Sequence, residues 1–399
     1  MPKNQIKEIA RKYALKNAMD YGSARLGAVL NKVLSEVPEF RENIKEAEAI
    51  ITEIITKVNA MSKAEIEQEL ANYTFVKKEE RIGLPELEWV TPGMEINTRF
   101  APNPSGFMHI GHAKIAVLCD EYSKKYNGKF YLRFDDTDPK TKRPLLEAYT
   151  QTAKDLEWLG CKVYEIVRQS ERIELYYKFA EELIRNGSAY VCTCAKEEMQ
   201  ENRRKGIACA CRSSSKEETL NKWEKMKSDY KEGEAVLRLK TDLAHPNSSI
   251  RDWVMFRIID YAHPVTGTKY RVWPLYNFAS AVDDHEMQIT LVIRGKEHEL
   301  NQMKQQYLFD AFSWTMPHVL EVGALKVQGE LAHKSDIKIA ISEGRLTGWD
   351  DPRAPTIMGF RSKGINPKAI REYIIASGIK KHDSYLDLQK IAAISKKLS

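Results

Sequence analysis

The 399-residue sequence predicts an α/β protein in which a parallel sheet follows a helical segment and is interrupted by a smaller inserted module. Three observations carry this reading. Residues 1–75 place apolar side chains at helical spacing, strand-like and helix-like runs alternate from Glu95 onward, and four of the six cysteines fall within 192–211. At roughly 150 residues per domain, the length allows two to three domains.

In the helical segment Ile6, Ile9, Ala10, Tyr13 and Ala14 share one face, and apolar spacing continues through 26–34 and 47–58. Gly22, Gly27 and Pro38 mark the breaks. Residues 76–94 are charged, then rich in turn formers, and read as a linker. Thr98–Ala101 reads as a strand, Pro102–Gly106 as a rigid loop, Met108–Asn127 as a helix ended by Gly128, and Lys129–Phe134 as a second strand. This order implies parallel pairing. A strand at 289–293, after a helix around 275–282, completes a second half. Between the halves, 190–270 reads as an embedded module.

Composition narrows the class. With 43% hydrophobic and 30% charged residues, 20 Gly and 15 Pro, the chain is neither collagen-like, low-complexity nor disordered. No apolar run reaches the roughly 18 residues of a membrane span, and the N-terminus lacks the apolar core of a secretory signal. A cytoplasmic protein with no membrane partner is expected. The net charge of +6 is too mild to assign a nucleic-acid partner by itself.

His109-Ile-Gly-His112 is the sharpest motif. Two histidines three residues apart at a helix start lie on one face, and a helix N-terminus favours phosphate. Gly111 leaves the backbone open to a base or ribose. Cys192-Thr-Cys194 and Cys209-Ala-Cys211 each present two thiols to one side if extended, and together they make a closed four-cysteine site suited to structural Zn²⁺. Cys119 and Cys161 read as core residues. In the acidic run Asp135–Asp138, Asp138 before Pro139 reads as a helix N-cap, Asp136 as structural and Asp135 as a ligand.

The string Thr98-Arg-Phe-Ala-Pro-Asn-Pro-Ser-Gly-Phe-Met-His-Ile-Gly-His-Ala-Lys114 resembles the nucleotide-binding signature of class I aminoacyl-tRNA synthetases in their glutamyl/glutaminyl form. Leu132-Arg-Phe-Asp-Asp-Thr-Asp138, Trp273-Pro-Leu-Tyr-Asn-Phe-Ala-Ser280, Val282-Asp-Asp-His285, Ile293-Arg-Gly-Lys-Glu-His298 and Gly348-Trp-Asp-Asp-Pro-Arg353 follow in the family's order. The helical extension and the last string are similar to the archaeal-type glutamyl-tRNA synthetases. The resemblance implies a Rossmann-like catalytic domain in two halves, 95–190 and 271–330. Around these it sets a helical extension and linker at 1–94, a zinc-containing insertion at 191–270 that binds the tRNA acceptor stem, and a signature loop with a helical junction at 331–399.

It also implies a chemistry: glutamate attacks the α-phosphate of ATP with Mg²⁺ present, and the adenylate is transferred to the 3′ end of tRNA(Glu). The family usually needs bound tRNA for the first step. His109, His112 and Lys334 would act on the phosphates, with Gly111 and Ser335 in the ATP site. Asp135 and Tyr276 would hold the ammonium of L-glutamate, Arg99 and Arg294 its side-chain carboxylate, and Asn103 another part of it. A glutaminyl enzyme has a small uncharged residue where Arg294 stands. The signature loop departs from the family's Lys-Met-Ser-Lys-Ser pattern, reading Leu331-Ala-His-Lys-Ser-Asp-Ile-Lys338, with His333 and Asp336 at unusual positions. The family normally continues into anticodon-binding barrels, whereas this chain stops at Ser399; a glutaminyl-tRNA synthetase and a truncated, non-catalytic synthetase-like tRNA-binding protein are the rival readings. A monomer is expected.

Overall fold

The computed structural model describes residues 2–37, 44–75, 84–327, 329, 331 and 334–398, in two compact units, 1–80 and 81–399. The first unit holds α1 (Pro2–Tyr21), α2 (Leu26–Glu36), α3 (Ile44–Asn59) and α4 (Lys63–Leu70). The helical spacing brings Ile6, Ala10, Ala14, Val29, Val33, Ile51 and Val58 into one core. Ser62 opens α4 with a capping box, its hydroxyl accepting from the Glu65 amide while Glu65 accepts from the Ser62 amide.

In the second unit β1 (Thr98–Phe100), α5 (Ile110–Lys125), β2 (Phe130–Phe134), α6 (Leu146–Trp158) and β3 (Glu165–Arg168) form the first half. α7 (Ile173–Asn186) leads into an antiparallel sheet of β4 (Ala189–Cys192), β5 (Val236–Leu239), β6 (Val254–Ile258) and β7 (Val272–Pro274). α8 (Lys196–Lys205) and α9 (Lys216–Ser228) lie between its first two strands. α10 (Tyr276–Glu286), β8 (Leu291–Gly295), α11 (Glu299–Ala311) and β9 (His318–Val322) make the second half. β10 (Leu325–Lys326), α12 (Lys334–Ser342), α13 (Ile357–Ser362), α14 (Pro367–Ser377), β11 (Ser384–Tyr385) and α15 (Leu388–Lys397) follow. No described helix is long and apolar enough to cross a membrane.

The main sheet runs β3-β2-β1-β8-β9, with every neighbouring pair parallel. Strand order turns back between β1 and β8, and open α/β sheets bind ligands in the crevice beyond the strands' carboxyl ends at such a point. Alternation along β2 sends Phe130, Leu132 and Phe134 to the α5 face, and Tyr131 to the other face with Val167 and Val292. Both faces are therefore covered, as a parallel sheet requires. Leu84, Leu87, Trp89, Val90 and Met94 pack on the same core.

Two local readings are corrected. Helix α5 starts at Ile110 rather than Met108, because His109 is its N-cap, with extended backbone (φ −116°, ψ 173°). Asp138 caps no helix: its carboxylate accepts from the Lys140 and Thr141 amides and closes a turn, and the next helix starts only at Leu146. Pro139 therefore opens a loop.

Gly128, after Asn127 with φ 54°, lies against β1's leading segment, where an added Cβ would sit 2.1 Å from the Ile96 carbonyl oxygen. The three nearest atoms are all backbone atoms of Ile96, so no flexible side chain is there to yield. Gly128→Ala is expected to cost about 3 kcal/mol in denaturant unfolding; a loss under about 0.5 kcal/mol, the range of neutral surface changes, would show that the segment yields freely.

Candidate active site

The crevice between β1 and β8 gathers two sets of side chains. On the first side, His109 Nδ1 accepts from the Gly111 amide at 3.1 Å, which leaves Nε2 as the ring's donor. His112 stacks on it, ring centroids 3.9 Å apart. A Cβ at Gly111 would come within 3.0 Å of the His109 ring, so only glycine lets that ring lie flat on the helix start. Lys334, at the head of α12, lays its stem across the loop, its Cδ 3.4 Å from where a Gly106 Cβ would be. Burial, with His109 and Lys334 alongside, holds His112 well below the ordinary imidazole range. Burial, with Lys142 and Lys338, pulls Lys334 down to about 8. A helix N-terminus, donor imidazoles and a destabilised ammonium together make a place short of negative charge.

The second side rests on a buried ion network. Arg133, on β2, donates to Asp135 at 2.9 Å and Asp284 at 2.7 Å, and lies 3.8 Å from Asp283. Arg99, on β1, also pairs with Asp284, at 3.0 Å. Asp283 takes Arg172 at 2.8 Å and the Tyr176 hydroxyl at 2.7 Å. Burial opposes charge on Arg133, but the three carboxylates keep its pKa well above the ordinary value. Asp284 behaves likewise: burial pushes it up, yet Arg99 and Arg133 hold it low.

Arg294, at the end of β8, feels Asp284 and Arg99 of this network but pairs with none of its carboxylates. Its guanidinium donates to the amide oxygens of Gln305 at 2.9 Å and Gln302 at 3.3 Å, both on α11, and meets the Tyr276 hydroxyl. It is 5% exposed, its Nε has no partner, and among the described residues no carboxylate forms an ion pair with it. Neutral oxygens orient this cation without discharging it. Asp135 is the complement: burial, against the pull of Arg133, raises it to about 6, and its Oδ2 is buried without a partner.

The other residues singled out in sequence take different places. Asn103 spends both amide ends on the loop, donating to the Asp135 carbonyl at 2.8 Å and accepting from the Ser105 amide at 3.1 Å. Ser335 is exposed and donates to Asp336 at 3.3 Å. His333 lies outside the described residues. Asp136 accepts from Tyr149 and Ser170 at 2.7 Å each, a structural post. The 348–357 segment supports the histidine helix: Trp349 packs on Phe107, and the Ile357 amide donates to the Met108 carbonyl at 3.0 Å. Sequence reasoning missed Arg133, Asp283 and Arg172. The signal for the first was present, since a charged residue inside an apolar strand must have buried partners.

The four cysteines converge. The sulfurs of Cys192, Cys194, Cys209 and Cys211 all lie within 4.8 Å of one another, with 3.9 Å between Cys192 and Cys209 and 3.9 Å between Cys194 and Cys211. Only the first pair leaves an extended strand. Cys209 is extended but opens a 3₁₀ turn, Ala210–Ser213, that carries Cys211, so the second pair converges through a different backbone shape from the one expected. A tetrahedral Zn²⁺ with Zn–S of about 2.3 Å spaces its sulfurs about 3.8 Å apart, so the donor set fits that ion.

Residues 95–398 match the family described as tRNA synthetases class I (E and Q), catalytic domain. Similar curated proteins include the glutamate--tRNA ligase of Pyrococcus furiosus, 48% identical over 99% of this chain and 71% of that protein. That of Pyrococcus abyssi is 50% identical over the same shares, and that of Methanopyrus kandleri 44% identical over 100% of this chain and 70% of its own. A solved glutamate tRNA ligase from Elizabethkingia meningosepticum, in complex with its amino acid, shares the fold with a TM-score of 0.55 at 21% identity, over 76% of this chain and 70% of that one. The ordered motifs, the switch-point crevice and these matches lead to one conclusion: the chain belongs to the class I glutamyl/glutaminyl tRNA synthetase family.

Proposed function

We propose that this chain is a glutamate--tRNA ligase that activates L-glutamate with ATP and passes the glutamyl group to the 3′ end of tRNA(Glu), in the cytoplasm where translation uses it. The observation that carries the choice of amino acid is Arg294, a buried guanidinium with no carboxylate partner among the described residues. The archaeal relatives, all named glutamate--tRNA ligase, support the same substrate.

Glutamate brings one ammonium and two carboxylates. We assign the ammonium to the unpartnered oxygen of Asp135 and the side-chain carboxylate to Arg294, oriented by Gln302, Gln305 and Tyr276. Arg99, already discharged by Asp284, contributes the wall behind. The α-carboxylate, ionised without help, attacks the α-phosphate of ATP, forming the acyl–phosphate bond as the bond to pyrophosphate breaks. The developing charge falls on equatorial and leaving-group oxygens, so catalysis is positioning and positive potential. His109 and His112 donate to phosphate oxygens as neutral imidazoles, and Lys334 follows the leaving pyrophosphate. The ribose hydroxyl of the tRNA terminus then takes the acyl group and AMP leaves. Cys192, Cys194, Cys209 and Cys211 would hold Zn²⁺, which would supply only a closed structural knot tying the end of β4 to the turn at 209–211.

Glutamine in this pocket would leave Arg294 buried and uncompensated, which argues against the glutaminyl reading. The meeting of Lys334 with the histidine loop argues against a purely binding protein. In ATP–pyrophosphate exchange with tRNA present, glutamate alone should support exchange. Exchange with glutamine alone, or with neither in folded protein, would contradict the proposal. Arg294→Cys should lower kcat/KM for glutamate about a hundredfold, equivalent to ~3 kcal/mol, with the KM for ATP little changed. Unaltered glutamate kinetics would refute the assignment.

The pH profile follows from the two shifted groups. Asp135 titrates at about 6, so its carboxylate is present above that pH and lost below. Lys334 titrates at about 8, so its ammonium is present below that pH and lost above. Activation kcat/KM should be bell-shaped between these limits. Lys334→Arg should remove the alkaline limb and leave the acid limb in place; an unchanged alkaline limb would show that another group sets it.

A further inference from the structure

The cysteine cluster has a charged neighbour outside its four sulfurs. Arg238 lies on β5, directly opposite Tyr190 of β4. Strand alternation turns Leu237 and Leu239 into the large core of the insertion, and sends Val236 and Arg238 to the side of Cys192. There the Arg238 side chain is almost wholly buried, 2% exposed. Its Nε donates to the Asp252 carbonyl at 2.7 Å, and its guanidinium lies 5.4 Å from the Tyr190 ring centroid. These contacts aim Nη1 at two sulfurs, 3.7 Å from Cys192 and 4.0 Å from Cys209.

The nearest carboxylate is committed elsewhere. Asp252, held at φ 38°, accepts from Arg212 at 2.9 Å, from the Tyr190 hydroxyl at 2.9 Å and from the Thr241 amide at 2.8 Å. Among the described residues no carboxylate forms an ion pair with Arg238. A cation this deeply buried needs negative charge close by. Four thiolates around a dication supply it: when four thiols bind Zn²⁺ and release their protons, the complex keeps two net negative charges.

We infer that Arg238 is the charge-compensating partner of the metal–thiolate site, positioning Cys192 and Cys209 as ligands through N–H···S hydrogen bonds from outside the coordination sphere. The inference rests on the cluster taking a thiophilic dication, as proposed above. Arg238 is a positioning residue: it touches neither metal nor substrate. It acts on the two buried sulfurs, while Cys194 and Cys211 are partly open to water and need no such partner.

The test uses the full chain with Zn²⁺ as probe. Zinc affinity is read by competition with a chromophoric chelator, and thermal unfolding is compared between zinc-loaded and zinc-free protein. Arg238→Met should weaken zinc binding by about 10- to 100-fold, the range found when partners of metal ligands are removed. Arg238→Lys, which keeps the charge and loses the fork, should fall between, and it carries the test if the methionine variant does not fold. The gap in Tm between loaded and zinc-free protein should narrow in both variants. A merely structural arginine would lower both Tm values together and leave zinc affinity within about twofold of wild type, which would overturn the inference. Failure of the wild-type protein to bind zinc would overturn the metal reading, and this inference with it.

Discussion

An arginine in the middle of a buried strand sets the terms for the rest of the catalytic unit. Arg133 sits in β2 with aromatic and leucine neighbours, and its side chain is wholly buried. It is tolerable there because α10 delivers Asp283 and Asp284, and the loop after β2 delivers Asp135. Arg99 from β1 and Arg172 beside α7 complete a set of three guanidiniums and three carboxylates. Removing one member of such a set costs about 3–5 kcal/mol, because its partner stays buried and unpaired. The network therefore ties the two halves of the sheet together across the long insertion. It also lines the floor of the crevice proposed to hold both substrates.

That balance explains why Arg294 can act as a receptor. A site in which every arginine had its own carboxylate would have no reason to prefer an anionic side chain. Here the structural arginines are discharged, and Arg294 is aimed by two glutamine amides that carry no charge. Asp135 mirrors it, with one oxygen on Arg133 and the other left for a donor. On the proposed assignment the two ends of glutamate would be read by groups held in place before the substrate arrives, which limits the ordering cost of binding. On the phosphate side the design is looser. Lys334 lies against the loop with its pKa lowered by burial and by Lys142 and Lys338, so a polyphosphate bound as proposed would favour its charged form.

Local patterns made much of this legible in the sequence. The helix after the histidine motif, the parallel strands and the cysteine cluster announce themselves through spacing, breakers and residue chemistry. Readings that depended on what happens across space did not. Asp138 looked like a helix cap because Asp-Pro is a strong local signal, but α6 begins only at Leu146 and the carboxylate closes a turn instead. Asn103 sits in the signature, and what the sequence did not show is that its amide holds the backbone of Asp135 in place. Arg238, a charge inside the apolar run Val236–Leu239, signalled buried partners but not which ones, since these are two sulfurs brought over from β4 and a distant turn.

The central claim is that one uncompensated buried cation selects glutamate. It is tested most directly by calorimetry with a stable glutamyl-adenylate analogue and its glutaminyl counterpart, which differ only in the side-chain group facing Arg294. The account predicts a preference of about a hundredfold or more for the glutamyl compound, equivalent to ~3 kcal/mol. Equal affinity for the two would contradict it.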